Sequence, residues 1–131
     1  MEKIWNYINN QWVESQAAET VEIVNPASRE LLARTPLSTQ AEVNLAANAA
    51  REAWWEWRKT PAQDRVQYLF RLKNLLEANI DDISRTITME CGKTFEESKA
   101  EMRRAIENVE VACGIPILSQ GVFSEDIAPG I

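Results

Sequence analysis

Apolar positions alternate in short runs over the first forty residues and recur every third or fourth residue afterwards, so the pattern predicts strands followed by helices. Tyr7-Ile8 and Gln11-Trp12-Val13 flank Asn9-Asn10, a pair that tolerates the left-handed backbone of a tight turn, and together they predict a β-hairpin. Thr20 to Val24 carries β-branched residues at positions 20, 21, 23 and 24 and stops at Asn25-Pro26, where proline removes a ladder donor. A third short strand is predicted from Leu31 to Thr35, ended by Pro36.

Three helix starts share one signature, a hydroxyl cap answered three residues later by an acid or amide: Thr39 with Glu42, Thr60-Pro61 with Gln63, and Thr94 with Glu97. In the first helix Val43, Ala46, Ala47, Ala50, Trp54 and Trp57 form a continuous apolar stripe expected to face a core. In the second, Val66, Leu69, Phe70, Leu72, Leu75 and Leu76 make a face wide enough for burial on two sides, with Pro61 expected at the first helical position. Asn79 reads as a further cap, after which Ile80, Ile83 and Ile87 lead to Cys91 and a stop at Gly92. A last helix from about Phe95 to Cys113 turns Met102, Ala105, Ile106, Val109 and Cys113 inward, and Gly114 with Pro116 ends it. From Val122 to Ile131 the pattern is that of extended or frayed chain. The predicted class is α+β, predominantly helical: a short hairpin and strands, then three or four amphipathic helices.

Composition sharpens this picture. A chain of 131 residues with 45% hydrophobic and 26% charged side chains is globular, and a compact fold of that length buries roughly two thirds of its unfolded surface. Five tryptophans (Trp5, Trp12, Trp54, Trp55 and Trp57) are many for so small a chain to cover without a partner surface. The Trp54-Trp55…Trp57 cluster is read as helix-face packing with one exposed ring, rather than as a ligand-stacking platform. A net charge of −6 repels a phosphate backbone, so nucleic acid is not an expected partner. The longest apolar run, Val111 to Leu118, is broken by Gly114 and Pro116 and is far short of a membrane span. No basic-then-apolar leader opens the chain, which makes the cytoplasm the default location and leaves Cys91 and Cys113 as reduced thiols.

Candidate chemistry is sparse. Gly92-Lys93-Thr94 resembles the end of a phosphate loop, but that loop needs a glycine where Ile87 stands, so Gly92 is read as a helix stop and Thr94 as a helix start. Neither cysteine has a histidine to activate it, and both are placed on apolar faces as core thiols. The absence of histidine and of clustered cysteines argues against a metal site. Arg103-Arg104 allows two readings, a fork that clamps a carboxylate or phosphate and a solvated helix face. Glu97, Ala100, Glu101, Arg104, Asn108 and Val111 share one side of that helix, so Arg104 could simply pair with Glu97, Glu101 or Asn108.

Tyr7-Ile8-Asn9-Asn10-Gln11-Trp12, Val24-Asn25-Pro26-Ala27, Pro36-Leu37-Ser38-Thr39, Glu90-Cys91-Gly92-Lys93 and the block from Glu101 to Pro116, in that order and spacing, resemble the amino-terminal region of the aldehyde dehydrogenase superfamily. Arg104 to Pro116, followed by Gly121-Val122-Phe123-Ser124-Glu125, looks most similar to the coenzyme-A-acylating methylmalonate-semialdehyde dehydrogenases. Two positions depart from that pattern: Asn10 stands for a glycine in the hairpin, and Ala105 for the glycine after the arginine, where it could narrow the space beside Arg104.

The resemblance implies an enzyme that oxidises an aldehyde with NAD through a cysteine thiohemiacetal and passes the acyl group to coenzyme A, with loss of carbon dioxide. The nucleophilic cysteine, the oxyanion-stabilising asparagine and the dinucleotide loops of such an enzyme belong to later segments. Residues 1–131 are therefore expected to be an amino-terminal fragment, part of the cofactor-binding domain without its nucleotide-binding loops, with no catalytic, cofactor or metal residues and no activity alone. One role carries over: Arg104 would hold the substrate carboxylate by a bidentate contact. A separated fragment is expected to self-associate through surfaces meant for the rest of the enzyme. The alternatives are a stand-alone helical interaction module built on the same fold and a fragment of another semialdehyde dehydrogenase.

Overall fold

The computed structural model of the chain describes residues 4–123. Two antiparallel hairpins come first. β1 (Asn6–Ile8) pairs with β2 (Gln11–Val13), and the turn between them puts Asn9 at φ 51° and Asn10 at φ 61°, the left-handed pair that the asparagines were expected to supply. β3 (Thr20–Val24) pairs with β4 (Leu31–Pro36) around an Asx turn in which the Asn25 side chain accepts from the amides of Ala27 and Ser28. Proline closes β4 from within the ladder, opposite Thr20. The Ile4 amide donates to the Arg34 carbonyl and ties the two hairpins together.

Helices follow: α1 (Gln40–Trp57), α2 (Ala62–Ala78), α3 (Ile80–Cys91), α4 (Phe95–Cys113) and a single turn, α5 (Ile115–Leu118), which places Pro116 in its first turn. Thr39 and Thr94 each form a complete capping box, with Glu42 and Glu97 reaching back to the cap amides. The third signature misplaces its cap. Pro61, at ψ 148°, is still extended and stands at the N-cap of α2 itself; its carbonyl accepts from Asp64 and Arg65, while Thr60 lies one residue too far back for its hydroxyl to reach them. Asn79 does occupy the junction of α2 and α3, yet its amide donates backward to the Leu75 carbonyl instead of accepting from α3.

α4 lies between α2 and α3, and Val66, Met102 and Ile106 form the buried apolar centre. Against α3 the contact is made by small residues: Ser84 and Ser98 are fully buried, Ser84 bonding the Ile80 carbonyl and Ser98 the Thr88 hydroxyl. Ala105 is exposed and does not belong to the inner face assigned to it, whereas Val109 and Cys113 are partly covered. Ion pairs staple the same helices from outside, Lys73–Glu110 and Arg103–Glu77 across α2 and α4, Lys99–Asp81 across α3 and α4. No helix among the described residues is long and apolar enough to cross a membrane.

Four expectations about burial fail. The chain exposes 10379 Å², about half of the roughly 21,600 Å² its unfolded form would expose rather than a third, and well above the ~7,000 Å² of a compact monomer of this mass. The stripe on α1 faces no core among the described residues: Val43, Trp54 and Trp57 are exposed, and α1 meets mainly β1, with the alanines at 46, 49, 50 and 53 lining an open cleft beside the first hairpin. Only one side of α2 is covered, leaving Phe70, Leu72 and Leu75 in water. Periodicity marks a face as suited to burial; it does not name what covers it. The tryptophan cluster is corrected likewise, since all three rings are exposed: Trp54 and Trp55 meet edge to face with Arg58 over both, and Trp57 meets Tyr68.

Gly92 stops α3 at φ 71°, and a Cβ there would sit 2.8 Å from Pro26 Cγ, so the junction also docks against the β3–β4 turn. Gly92→Ala is expected to destabilise the chain by about 1–3 kcal/mol, and Gly92→Asn, which tolerates the dihedral, by a similar amount because the clash persists. Urea unfolding of both variants checks this; an asparagine variant as stable as the glycine would remove the steric part of the argument.

Candidate functional site

The α3–α4 junction turns one surface of α4 into a wall. Gly92 reverses the chain, Lys93 projects from the short loop, and the Thr94 capping box fixes where the first turn of α4 begins. Along the next turns Glu97, Ala100, Glu101, Arg104, Ala105 and Asn108 line an open cleft of about 700 Å³ together with Lys93. All but Lys93 and Ala105 belong to the single face read from the sequence.

The arginine pair divides its work. Arg103 points toward α2, where Nη1 contacts both carboxylate oxygens of Glu77 at 2.9 Å. Arg104, one position on and so about 100° around the helix, faces the cleft. Of the partners open to it, Glu97 is committed to the Thr94 amide and hydroxyl, Glu101 is paired with Lys93, and the Asn108 amide bonds the Arg104 carbonyl rather than its guanidinium. Among the described residues no carboxylate lies within ion-pairing distance of the Arg104 guanidinium and no side chain accepts from it. A fork-shaped cation facing a cleft without a neutralising partner can bind a carboxylate bidentately.

Charge around it is held in place by hydrogen bonds. The Thr94 amide, then its hydroxyl, keeps the Glu97 carboxyl below the usual carboxylate range. Glu42 is lowered in the same way by the amides of Thr39 and Gln16, and Asp81 by the hydrogen bond from Lys99. The bond from Lys93 to Glu101 pushes the lysine upward. Depressed carboxylates stabilise the fold above their unfolded values and cease to do so as pH falls through the folded ones; a raised lysine stabilises below its unfolded value and stops as pH rises through the folded one. Stability should therefore fall on acidification through and below the ordinary glutamate range, and Glu97→Gln should flatten part of that acid limb in urea titrations run at several pH values.

The cysteines do not join the site. Cys91 is the last residue of α3 and is exposed, not a core thiol, because the helix ends there before its apolar stripe is covered; Cys113 is partly buried at the far end of α4. Among the described residues there is no group of three or more His, Cys, Asp or Glu able to hold a metal ion. Every β-pair is antiparallel, so the parallel βα turn that cradles a dinucleotide is not found among the described residues. What the sequence did not reveal is the Lys93–Glu101 pair; its only trace is an eight-residue spacing that crosses a helix start.

Comparison with known proteins agrees on one family. The aldehyde dehydrogenase family model matches residues 12–126. Malonate-semialdehyde dehydrogenase 2 of Geobacillus kaustophilus is 44% identical over 126 residues, which cover 96% of this chain and 26% of that protein. The malonate-semialdehyde dehydrogenase of Halalkalibacterium halodurans is 41% identical over 130 residues, 99% of this chain and 27% of its own. The structure of methylmalonate-semialdehyde dehydrogenase from Oceanimonas doudoroffii superposes with a TM-score of 0.90 at 38% identity over 99% of this chain and 26% of that one. A Sinorhizobium meliloti protein assigned the same activity and solved with NAD gives a TM-score of 0.90 at 28% identity, with 99% and 26% covered. The chain thus spans about a quarter of the length of the curated relatives it matches.

Proposed function

Since the chain belongs to the aldehyde dehydrogenase family, we propose that it is the amino-terminal, substrate-facing portion of a coenzyme-A-acylating methylmalonate-semialdehyde dehydrogenase, and part of that enzyme's cofactor-binding domain. The observation that carries the reading is the Arg104 guanidinium in the α4 cleft, which has no partner among the described residues. Relatives named for malonate semialdehyde, an aldehyde that bears a carboxylate, support it.

In this reading Arg104 grips the substrate carboxylate and so orients the aldehyde at the other end toward the reacting groups. NAD would supply the hydride acceptor and coenzyme A the acyl acceptor, both held by segments outside these residues. The Thr94 box and the Thr88–Ser98 hydrogen bond between α3 and α4 position the arginine by fixing the start and seating of α4.

The purified 131-residue chain should reduce no NAD with malonate semialdehyde and coenzyme A, and should self-associate at micromolar concentration through the exposed faces of α1 and α2. Absorbance at the NADH band tests the first, and sedimentation velocity on the same sample tests the second. Turnover, or a monodisperse monomer, would count against the corresponding statement.

A further inference from the structure

Arg104 shares its cleft with a second cation, Lys93, and the number of free charges a ligand meets there depends on one carboxylate. Glu101, three residues before Arg104 on the same helix, is ion-paired with Lys93 across the mouth of the cleft. Glu97 cannot take over that duty without opening the capping box that starts α4. Building on the reading of Arg104 as the carboxylate site, we propose that Glu101 is a specificity-determining residue. By occupying Lys93 it leaves Arg104 as the one cation of the cleft without a carboxylate partner among the described residues, and that selects ligands bearing a single carboxylate over dianions.

The chemistry gives this selection a use. A semialdehyde carries one carboxylate and a neutral aldehyde; the dicarboxylate formed when that aldehyde is oxidised to an acid has the same carbon skeleton with a second charge. A cleft with two free cations would bind the dicarboxylate more tightly than the semialdehyde and would be blocked by it. With Lys93 paired, the second carboxylate gains no direct partner, and Glu101 lies close enough to repel it. The hydrogen bond that pushes Lys93 upward is consistent with a pair that stays formed across the neutral range. Both side chains are about half exposed, so salt should weaken the effect.

The test is isothermal titration calorimetry of the full-length enzyme that carries this segment with propanoate or malonate at pH 7 and low salt, with Arg104→Lys as the reference for binding at the arginine. In Glu101→Gln the malonate dissociation constant should fall roughly three- to tenfold relative to that of propanoate. Lys93→Met added to Glu101→Gln should restore the original ratio, and 0.5 M sodium chloride should erase most of the gain. An unchanged ratio in Glu101→Gln, with propanoate binding still weakened by Arg104→Lys, overturns the role of Glu101 and leaves the carboxylate site standing. If Arg104→Lys changes the binding of neither acid, the carboxylate reading fails and the selection built on it fails too.

Discussion

Replacing Arg104 by leucine in the full-length enzyme that carries this segment should lower kcat/KM for carboxylate-bearing aldehydes about 100-fold, and for uncharged aldehydes of similar length less than about threefold. The size follows from the contact. A charge-assisted hydrogen-bonded pair is worth about 1.5–3 kcal/mol, and each 1.4 kcal/mol is a factor of ten. The loss should appear largely in KM, because the carboxylate is gripped alike in the ground state and the transition state. Arg104 suits this experiment because, among the described residues, its guanidinium holds no other part of the fold. Arg103→Leu is the control: it severs the contact with Glu77 on α2, so it should lower stability while leaving the ratio between the two aldehyde classes unchanged. Equal losses on both classes with Arg104→Leu would reject the clamp.

The contrast between the two arginines shows how far the sequence could be read. Features set by bonds within four residues were legible: the boxes at Thr39 and Thr94, the asparagine turn, the stop at Gly92. Each is a short-range pattern with one low-energy geometry. Thr60 and Asn79 carried the right chemistry at nearly the right place, and the backbone put it to another use, since proline kept an extended ψ and the asparagine amide found a carbonyl behind it. That Arg103 and not Arg104 would be neutralised was not legible, because Glu77 lies 26 residues away on another helix. Burial was the least legible quantity. Trp54, Val43 and Leu75 have the spacing of core residues, yet the described residues supply no surface to cover them. The family resemblance was readable because it rests on order and spacing over the whole chain, and the match over residues 12–126 agrees with it.

The thin core makes one apolar side chain decisive. Ile106 is 1% exposed at the centre of α4, and only Val66 and Met102 accompany it as buried apolar residues among those described. Ile106→Ala should cost about 3 kcal/mol, from lost transfer energy plus the cavity left behind. A domain with ordinary reserves of about 5–15 kcal/mol survives that; this chain, which buries only about half its unfolded surface, starts from less and should be largely unfolded at 37 °C as the variant. Val111→Ala, on the same helix at a position 66% exposed, should change stability by less than about 0.5 kcal/mol. Tryptophan fluorescence and far-ultraviolet circular dichroism across a urea series measure both. Comparable midpoints for the two variants would mean that α4 is not seated as described. The seating matters beyond stability: Ile106 follows Arg104 by two residues, about 200° around the helix, so the side chain that anchors α4 inward is the one that turns the arginine outward into its cleft.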